Sequence, residues 1–413
     1  MLSFCKPVSS KKRFKPFRDI NADFSFSLFD NANLVDKTEW EGITRQQSIF
    51  LEIDFLQLLE QCESTNLLAR YILIYNNKVP CGIIYFQIID FKAEVFGSIL
   101  VDKVENIKST RLNLFEKYLD THKNETILRL FTCGNNLVSG EYGFLFLPHI
   151  TKQKQSELVL QVIDVIGKEE KLSGAISAIL IKDFETELQP KALFDSQKYT
   201  QFLVEPNLVV DIPITAGSID EYILLFSKKY RNRAKAILKK GSVITQKFLE
   251  ANEIKNLQDE MYVLYENIYE RAKFKLIKLP KHYFYETKKI FLQLFLVKGF
   301  FLNDKLVAFS SSFFLNNTVL EAHYIGLNYE LNVEYELYQN ILYSMIDCAI
   351  INKKQHVNLG RTAAEIKTTV GAKAQDLICY IKPQNTISKI IQKPFISFLQ
   401  PAEWVARNPF KEE

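Results

Sequence analysis

One short pattern occurs twice in this chain, about half a chain apart. Tyr75-Asn76-Asn77-Lys78-Val79 leads into the apolar run Gly82-Ile83-Ile84-Tyr85-Phe86. Leu302-Asn303-Asp304-Lys305-Leu306 leads into Val307-Ala308-Phe309 and then Phe313-Phe314. Each reads as strand, tight polar turn, strand, because Asn and Asp tolerate the positive backbone angles that short hairpins need. Neighbouring elements recur in similar order, so the pattern points to two copies of one α/β unit. A coincidence of mixed α/β order is the competing explanation.

A chain of 413 residues is long enough for two or three domains, two being preferred. A hydrophobic share of 47% supplies two sizeable cores. The formal charge of +4 is small for this length and does not demand a nucleic-acid partner. Cys5, Cys62, Cys81, Cys133, Cys348 and Cys379 show no C-x-x-C or similar spacing, so no metal site is expected. Scattered thiols read as reduced core residues of a cytoplasmic protein. The start of the chain is basic around Lys11-Lys12-Arg13 but lacks the apolar stretch of a secretory signal. No window reaches the roughly 18 apolar residues of a membrane span.

Periodicity predicts an irregular lead-in over 1–20 and a first domain over 21–213. This domain holds a helix at 47–62, the hairpin at 70–90 and strands at 127–133 and 142–147. A helix at 151–170 capped by Thr151 follows, then strands at 176–181 and 201–212. Pro213 to Gly217 punctuates the chain, and Ser218-Ile219-Asp220-Glu221 looks like a helix start. The second domain, 214–382, reads as helices at 219–240, 255–272 and 281–291, a meander at 298–327 and a helix at 332–352. A strand at 356–359, a short helical piece at 363–370 and a strand at 377–381 complete it. Residues 383–413 carry four prolines, counting Pro383, and read as an irregular wrap with one short helix.

Three segments carry candidate chemistry. Glu321-Ala322-His323-Tyr324-Ile325-Gly326-Leu327-Asn328 ends a strand before a helix. Strand alternation puts Glu321 and His323 on one face and Ala322 and Tyr324 on the other. A carboxylate beside an imidazole suits proton transfer, and equally suits a structural pair in a sheet. Gly326 would admit close approach of a ligand, and the following helix start would offer amides to a phosphate. In the second segment, Arg361 follows a short strand and Lys367 lies further along; both could clamp an anionic group, or could be a helix cap with surface charges. The third, Lys228 to Gly241, holds seven bases and no acid, including Arg231 beside Tyr230. It suits nucleic acid, a nucleotide phosphate or anionic lipid, or is a solvated helix face. There is no G-x-S-x-G, G-x-G-x-x-G or Walker pattern.

The second half resembles the GNAT-superfamily acyltransferases, in the double-domain branch related to Fem-type peptidyltransferases of cell-wall synthesis. The resemblance rests on the basic helix from Ser227 to Lys235, the meander from Gly299 to Leu327 with its following helix, and Leu359-Gly360-Arg361 with Lys367. It covers residues 219–382. The first half matches in the order of its elements, and the Gln/Arg-x-x-Gly-x-Gly/Ala pyrophosphate loop of acetyl-CoA enzymes is not present. The resemblance implies two tandem GNAT-like α/β (α+β) domains, each a mixed, mostly antiparallel sheet flanked by helices. It implies N-acyl transfer to an amine from a thioester donor, acyl-CoA or acyl carrier protein, with no tightly bound cofactor. Glu321 or His323 would be the base with Tyr324 beside them. Ile325, Gly326, Leu327 and Asn328 would hold the acyl carrier, and Arg361, Lys367, Tyr230 and Arg231 would bind substrate. A tRNA-dependent aminoacyl or peptidyl transferase is the alternative, with tRNA or an anionic membrane surface as partner. A non-catalytic protein of the same fold is the other.

Overall fold

Both Asn-containing turns are two-residue hairpin loops. In the computed structural model, which describes residues 14–45, 47–61, 66–92, 127–170, 174–185, 190–272 and 277–411, Asn77 and Lys78 have φ of 46° and 66°. Asn303 and Asp304 have φ of 49° and 62°. Two successive left-handed residues match the twist of the flanking strands. The registers also match. Asn76 faces Val79, Tyr75 faces Pro80, and a bulge then brings Ile74 opposite Gly82. Leu302 faces Lys305, Phe301 faces Leu306, and a bulge brings Phe300 opposite Ala308. The repeat extends to the placement of one extra residue.

The chain forms two compact units, 1–205 with 376–401 and 206–375 with 402–413. The punctuation at Pro213 to Gly217 predicts a second domain over 214–382. The chain instead enters the second unit at Pro206, and residues 376–401 return to the first.

The first unit contains β1 (Phe14–Asp19), β2 (Phe24–Phe29), α1 (Lys37–Thr44), α2 (Ile53–Gln61), β3 (Leu67–Asn76) and β4 (Val79–Lys92). It continues with β5 (Ile127–Cys133), β6 (Phe144–Phe146), α3 (Lys152–Glu170), β7 (Ala178–Glu185), α4 (Lys191–Ser196) and the start of β8 (Thr200–Asp211). Strand β1 falls inside the expected irregular lead-in. Its pairing with β2 creates it, since Pro16 breaks any pattern of its own. The sheet runs β1-β2-β3-β4-β5-β7, antiparallel except for the parallel β5–β7 pair. Its core gathers Phe26, Ile72, Ile84, Phe86 and Phe131 with Leu158, Val162 and Ile166 of α3.

The second unit contains α5 (Ile219–Leu224), α6 (Lys228–Gly241), β9 (Thr245–Phe248), α7 (Ala251–Asn256), α8 (Gln258–Arg271) and α9 (Tyr283–Phe291). Next come β10 (Phe295–Leu302), β11 (Lys305–Phe314), β12 (Val319–Leu327), α10 (Tyr329–Tyr335), α11 (Leu337–Ile351), β13 (His356–Asn358), α12 (Ala364–Thr368) and the start of β14 (Ala372–Pro383). The expected helix at 332–352 is two helices, broken where Glu336 turns left-handed at φ 49°. The expected helix at 219–240 is also two, interrupted at Phe226, which bridges to Phe410. The sheet order β9-β10-β11-β12-β13-β8 repeats the plan of the first unit, again with one parallel pair, β12–β13.

Each unit completes its sheet with a strand that is distant in sequence from the strand it meets. After β7 the chain runs into β8, whose Val209–Asp211 pair with β13. After β13 it runs into β14, whose Leu377–Pro383 pair with β7. The tail then forms α13 (Thr386–Leu399), started by a capping box of Asn385 and Ser388 and continuous through Pro394. The tail expected to be an irregular wrap with one short helix carries, among the described residues, a single helix of 14 residues. No helix among the described residues is long and apolar enough to cross a membrane.

Candidate active site

Strand β12 pairs with β13 only from Val319 to Glu321, opposite His356 to Asn358. Beyond Glu321 the two diverge, and a cavity of about 500 Å³ opens in the gap. One wall is Ala322, His323, Tyr324, Ile325 and Leu327 of β12; another is Leu359 to Ala363 with Ile366 and Lys367. Helix α11 supplies Tyr338, Ile341, Leu342 and Met345 along one face. This is the volume and mixed lining of a small-molecule site.

A bulge shapes the β12 wall. Ser312 pairs with Ala322 but Ser310 pairs with Ile325, so His323 and Tyr324 together oppose Ser311. The Ser311 hydroxyl accepts from the Tyr324 amide at 3.0 Å and donates to the Tyr324 carbonyl at 2.8 Å. The bulge breaks the alternation expected from the sequence. Tyr324 packs on Tyr265, Tyr283 and Phe284 of α8 and α9, and His323 also meets Tyr283.

His323 Nε2 lies 2.6 Å from the Tyr283 hydroxyl. Phe295 and Phe313 close in edge-on. Burial lowers the imidazole pKa to about 3, so the ring is neutral at physiological pH. Tyr283 was not legible as a site residue: it stands 40 positions away and carries no motif. Glu321 is buried and off the cavity wall. Desolvation raises its pKa to about 8, against the hydrogen bond that Asn358 Nδ2 donates to it at 3.1 Å. Asn358 in turn accepts from the Gly360 amide at 2.9 Å. Glu321 therefore anchors the start of the loop opposite His323.

That loop is conformationally demanding. Gly360, Thr362 and Ala363 have φ of 71°, 64° and 50°. Left-handed Thr and Ala cost free energy and persist only where the surroundings impose them. Lys367 imposes them here: its buried Nζ donates to the carbonyls of Gly360 at 3.1 Å and Arg361 at 2.5 Å. Lys367 is thus a positioning residue in this structure, and Arg361 lies on the cavity wall.

The remaining expected site residues separate. Ile325 and Leu327 line the cavity. Gly326 does not, because a Cβ there would collide with Phe309 and Leu264; its role is close packing of α8 on the sheet. Asn328 caps α10, accepting from the Glu330 amide at 2.9 Å, so that helix start is occupied by its own side chain. Tyr230 and Arg231 are half-buried on α6, away from the cavity wall, with the Lys229 ammonium 5.6 Å from the Tyr230 ring centre.

The first unit has a cavity of about 370 Å³ at the equivalent step, lined by Cys133, Phe144, Thr151, Gln155 and Lys182. There the bulge is replaced by an excursion over 134–143. Lys182 holds it through the carbonyls of Asn135 and Val138 at 2.8 and 2.9 Å. No His–Tyr pair stands there among the described residues. Among those residues no group of His, Cys, Asp and Glu could hold a metal ion. Cys81, Cys133, Cys348 and Cys379 are buried thiols; Cys5 and Cys62 lie outside the described residues.

No protein-family model matches the sequence, and no curated protein matches it. Among solved structures, FemX shares the fold with a TM-score of 0.51 at 13% identity, over 87% of this chain and 98% of FemX. A tandem GNAT protein from the clavulanic acid biosynthesis pathway gives 0.48 at 6% identity, over 87% and 98%. The C-terminal domain of a putative lysylphosphatidylglycerol synthetase from Agrobacterium fabrum gives 0.47 at 10%, over 88% and 97%. The likeness is one of fold: the chain shares with FemX an architecture of mixed sheets flanked by helices.

Proposed function

We propose that the protein is a cytoplasmic N-acyltransferase that moves an acyl group from a thioester donor to an amine by direct attack in the cavity of the second unit. The observation that carries this reading is the open edge of β12. From Ala322 onward the strand loses its β13 partner and faces a cavity. An amide-bearing arm can add to such an edge as a further strand would, while its thioester reaches His323 and Tyr324.

The chemistry suits a neutral imidazole. The amine nitrogen bonds to the thioester carbon, and the adduct nitrogen becomes strongly acidic. His323, held by Tyr283, is the group placed to take that proton; burial keeps it uncharged but also makes it a weak base, so the transfer relies on the acidity of the adduct. The C–S bond then breaks, and the imidazolium returns that proton to the departing sulfur, which leaves as the thiol. Glu321 does not face the reacting atoms; it holds Asn358 and the loop that carries Arg361. Most of the rate enhancement in this reading comes from alignment of donor and acceptor.

A second reading, a tRNA-dependent aminoacyl transferase, would use the exposed bases of α6 to contact the nucleic acid. A ligand-induced stability screen separates the two. Acyl-CoA, acyl-loaded carrier protein and aminoacyl-tRNA are each added to the full chain, and a ligand of the folded state raises the melting temperature. A shift with a thioester donor, reduced in Arg361→Ala, supports the proposal. A shift with tRNA alone overturns it in favour of the second reading, and no shift across the panel favours a non-catalytic role.

A further inference from the structure

Helix α6 buries Ala234, Ile237 and Gly241 and exposes nearly all its charge. Its contacts tie it to the cavity. Arg233 Nη2 donates to Gln339 Oε1 at 3.4 Å, and Lys240 Nζ to Glu336 Oε1 at 3.2 Å. Gln339 and Glu336 both line the cavity. Lys228, Lys229, Lys235 and Lys239 remain exposed along a helix of 14 residues, about 21 Å long.

The helix carries seven cations and no acid, while the whole chain stands at +4, so all other residues together sum to −3. The positive charge is a local patch beside a cavity, which fits a small acidic surface better than an extended phosphate backbone. The mouth itself is poorly furnished for a free nucleotide. The Glu330 amide is engaged by Asn328, and the Tyr338 amide in the first turn of α11 by Asn332, both at 2.9 Å. Glu336 adds a carboxylate there.

Resting on the thioester reading above, we propose that α6 is the docking surface for an acidic carrier protein, which delivers the acyl thioester into the cavity on its flexible prosthetic arm. The amine displaces the arm's sulfur, an amide forms, and the carrier departs with its thiol protonated. Opposite charge across such a surface speeds encounter and fixes orientation, and both effects weaken with salt.

The test uses the full chain, an octanoyl-loaded acyl carrier protein bearing a fluorescent label, octanoyl-CoA, and bulk tRNA. Turnover is read with both thioesters, and carrier binding by anisotropy at low and high salt. In the double variant Lys235→Glu, Lys239→Glu, the ratio of carrier-borne to CoA-borne turnover is expected to fall about tenfold or more. Carrier binding should weaken in parallel and with salt. An unchanged ratio with salt-insensitive or undetectable carrier binding overturns the docking proposal, while turnover of octanoyl-CoA then keeps the thioester reading. Salt-sensitive carrier binding lost in the variant, without turnover of either thioester, keeps the docking surface and removes the thioester reading. Tighter binding of tRNA than of the carrier at matched salt, abolished by the same substitutions, overturns the proposal in favour of a nucleic-acid surface.

Discussion

Tyr85 and Ser311 occupy the same step of the two units. Each lies on the second strand of its hairpin, where the next strand breaks register. Opposite Tyr85, β5 ends at Cys133 and resumes as β6 at Phe144. Opposite Ser311, β12 inserts the bulge of His323 and Tyr324. The same step of the shared plan holds a ten-residue excursion in the first unit and a two-residue bulge in the second. Ser311, with its small hydroxyl, fits inside the bulge.

That fit makes Ser311→Ala informative. Two hydrogen bonds to the Tyr324 backbone are lost, at a stability cost of about 1–2 kcal/mol. Turnover should fall by about tenfold or more, because a slight misplacement of His323 is costly. Melting and steady-state kinetics on the same preparation check this. Full activity in a destabilised variant would show that the bulge does not position the site.

Lys78→Gly should stabilise the protein by about 0.5–1 kcal/mol, since Lys78 is exposed and left-handed at the second position of its turn. Asp304→Gly should act likewise in the second hairpin. Denaturant midpoints test both. A loss of stability in either would contradict the assigned turn geometry.

His323 and Glu321 give stability opposite pH dependences, which offset each other between about pH 4.5 and 6.5. His323 titrates near 3 when folded, below its ordinary 6.5, so the folded state holds fewer protons and stability drops as pH falls from about 6.5 toward 3. Glu321 titrates near 8, above its ordinary 4.5, so the folded state holds more protons and stability drops as pH rises from about 4.5 through 8. Relative to the native chain, Glu321→Gln should therefore improve with rising pH across that window, by up to a few kcal/mol. A pH-independent difference would refute a buried, protonated Glu321.

Lys367→Met should cost about 1.5–3 kcal/mol and lower kcat/KM, because two loop carbonyls lose a charged donor. Crystallography of the variant should find Gly360, Thr362 and Ala363 relaxed from their left-handed angles. Unchanged kinetics with a relaxed loop would exclude that loop from the site.

Much of the architecture was legible because local chemistry and global fold agree. The Asn turns and the meander follow from short-range patterns, as does the helical character after it, though not the break at Glu336. The long-range pairing of β8 with β13 and of β14 with β7 was not legible, since nothing in β8 or β14 says which strand it will meet. Strand β2 was legible in principle: Phe24-Ser25-Phe26-Ser27 alternates as a half-buried strand should. In the site, strand spacing put Glu321 and His323 on one face and Ala322 and Tyr324 on the other; the bulge, which depends on Ser311 in another strand, breaks that division and leaves Glu321 off the cavity wall. Gly326 and Asn328 looked like ligand residues because a small residue and a helix start suit ligands. Packing against Leu264 and capping of α10 use the same properties.

The most direct measurement is mass-spectrometric detection of amide product, with the full chain, octanoyl thioester donors and a panel of primary amines, beside a parallel reaction with aminoacyl-tRNA. The account predicts an amide formed with one thiol released per turnover, lost in His323→Ala and retained in Lys78→Gly. Transfer from aminoacyl-tRNA alone, or thioester turnover undiminished in His323→Ala, would contradict it.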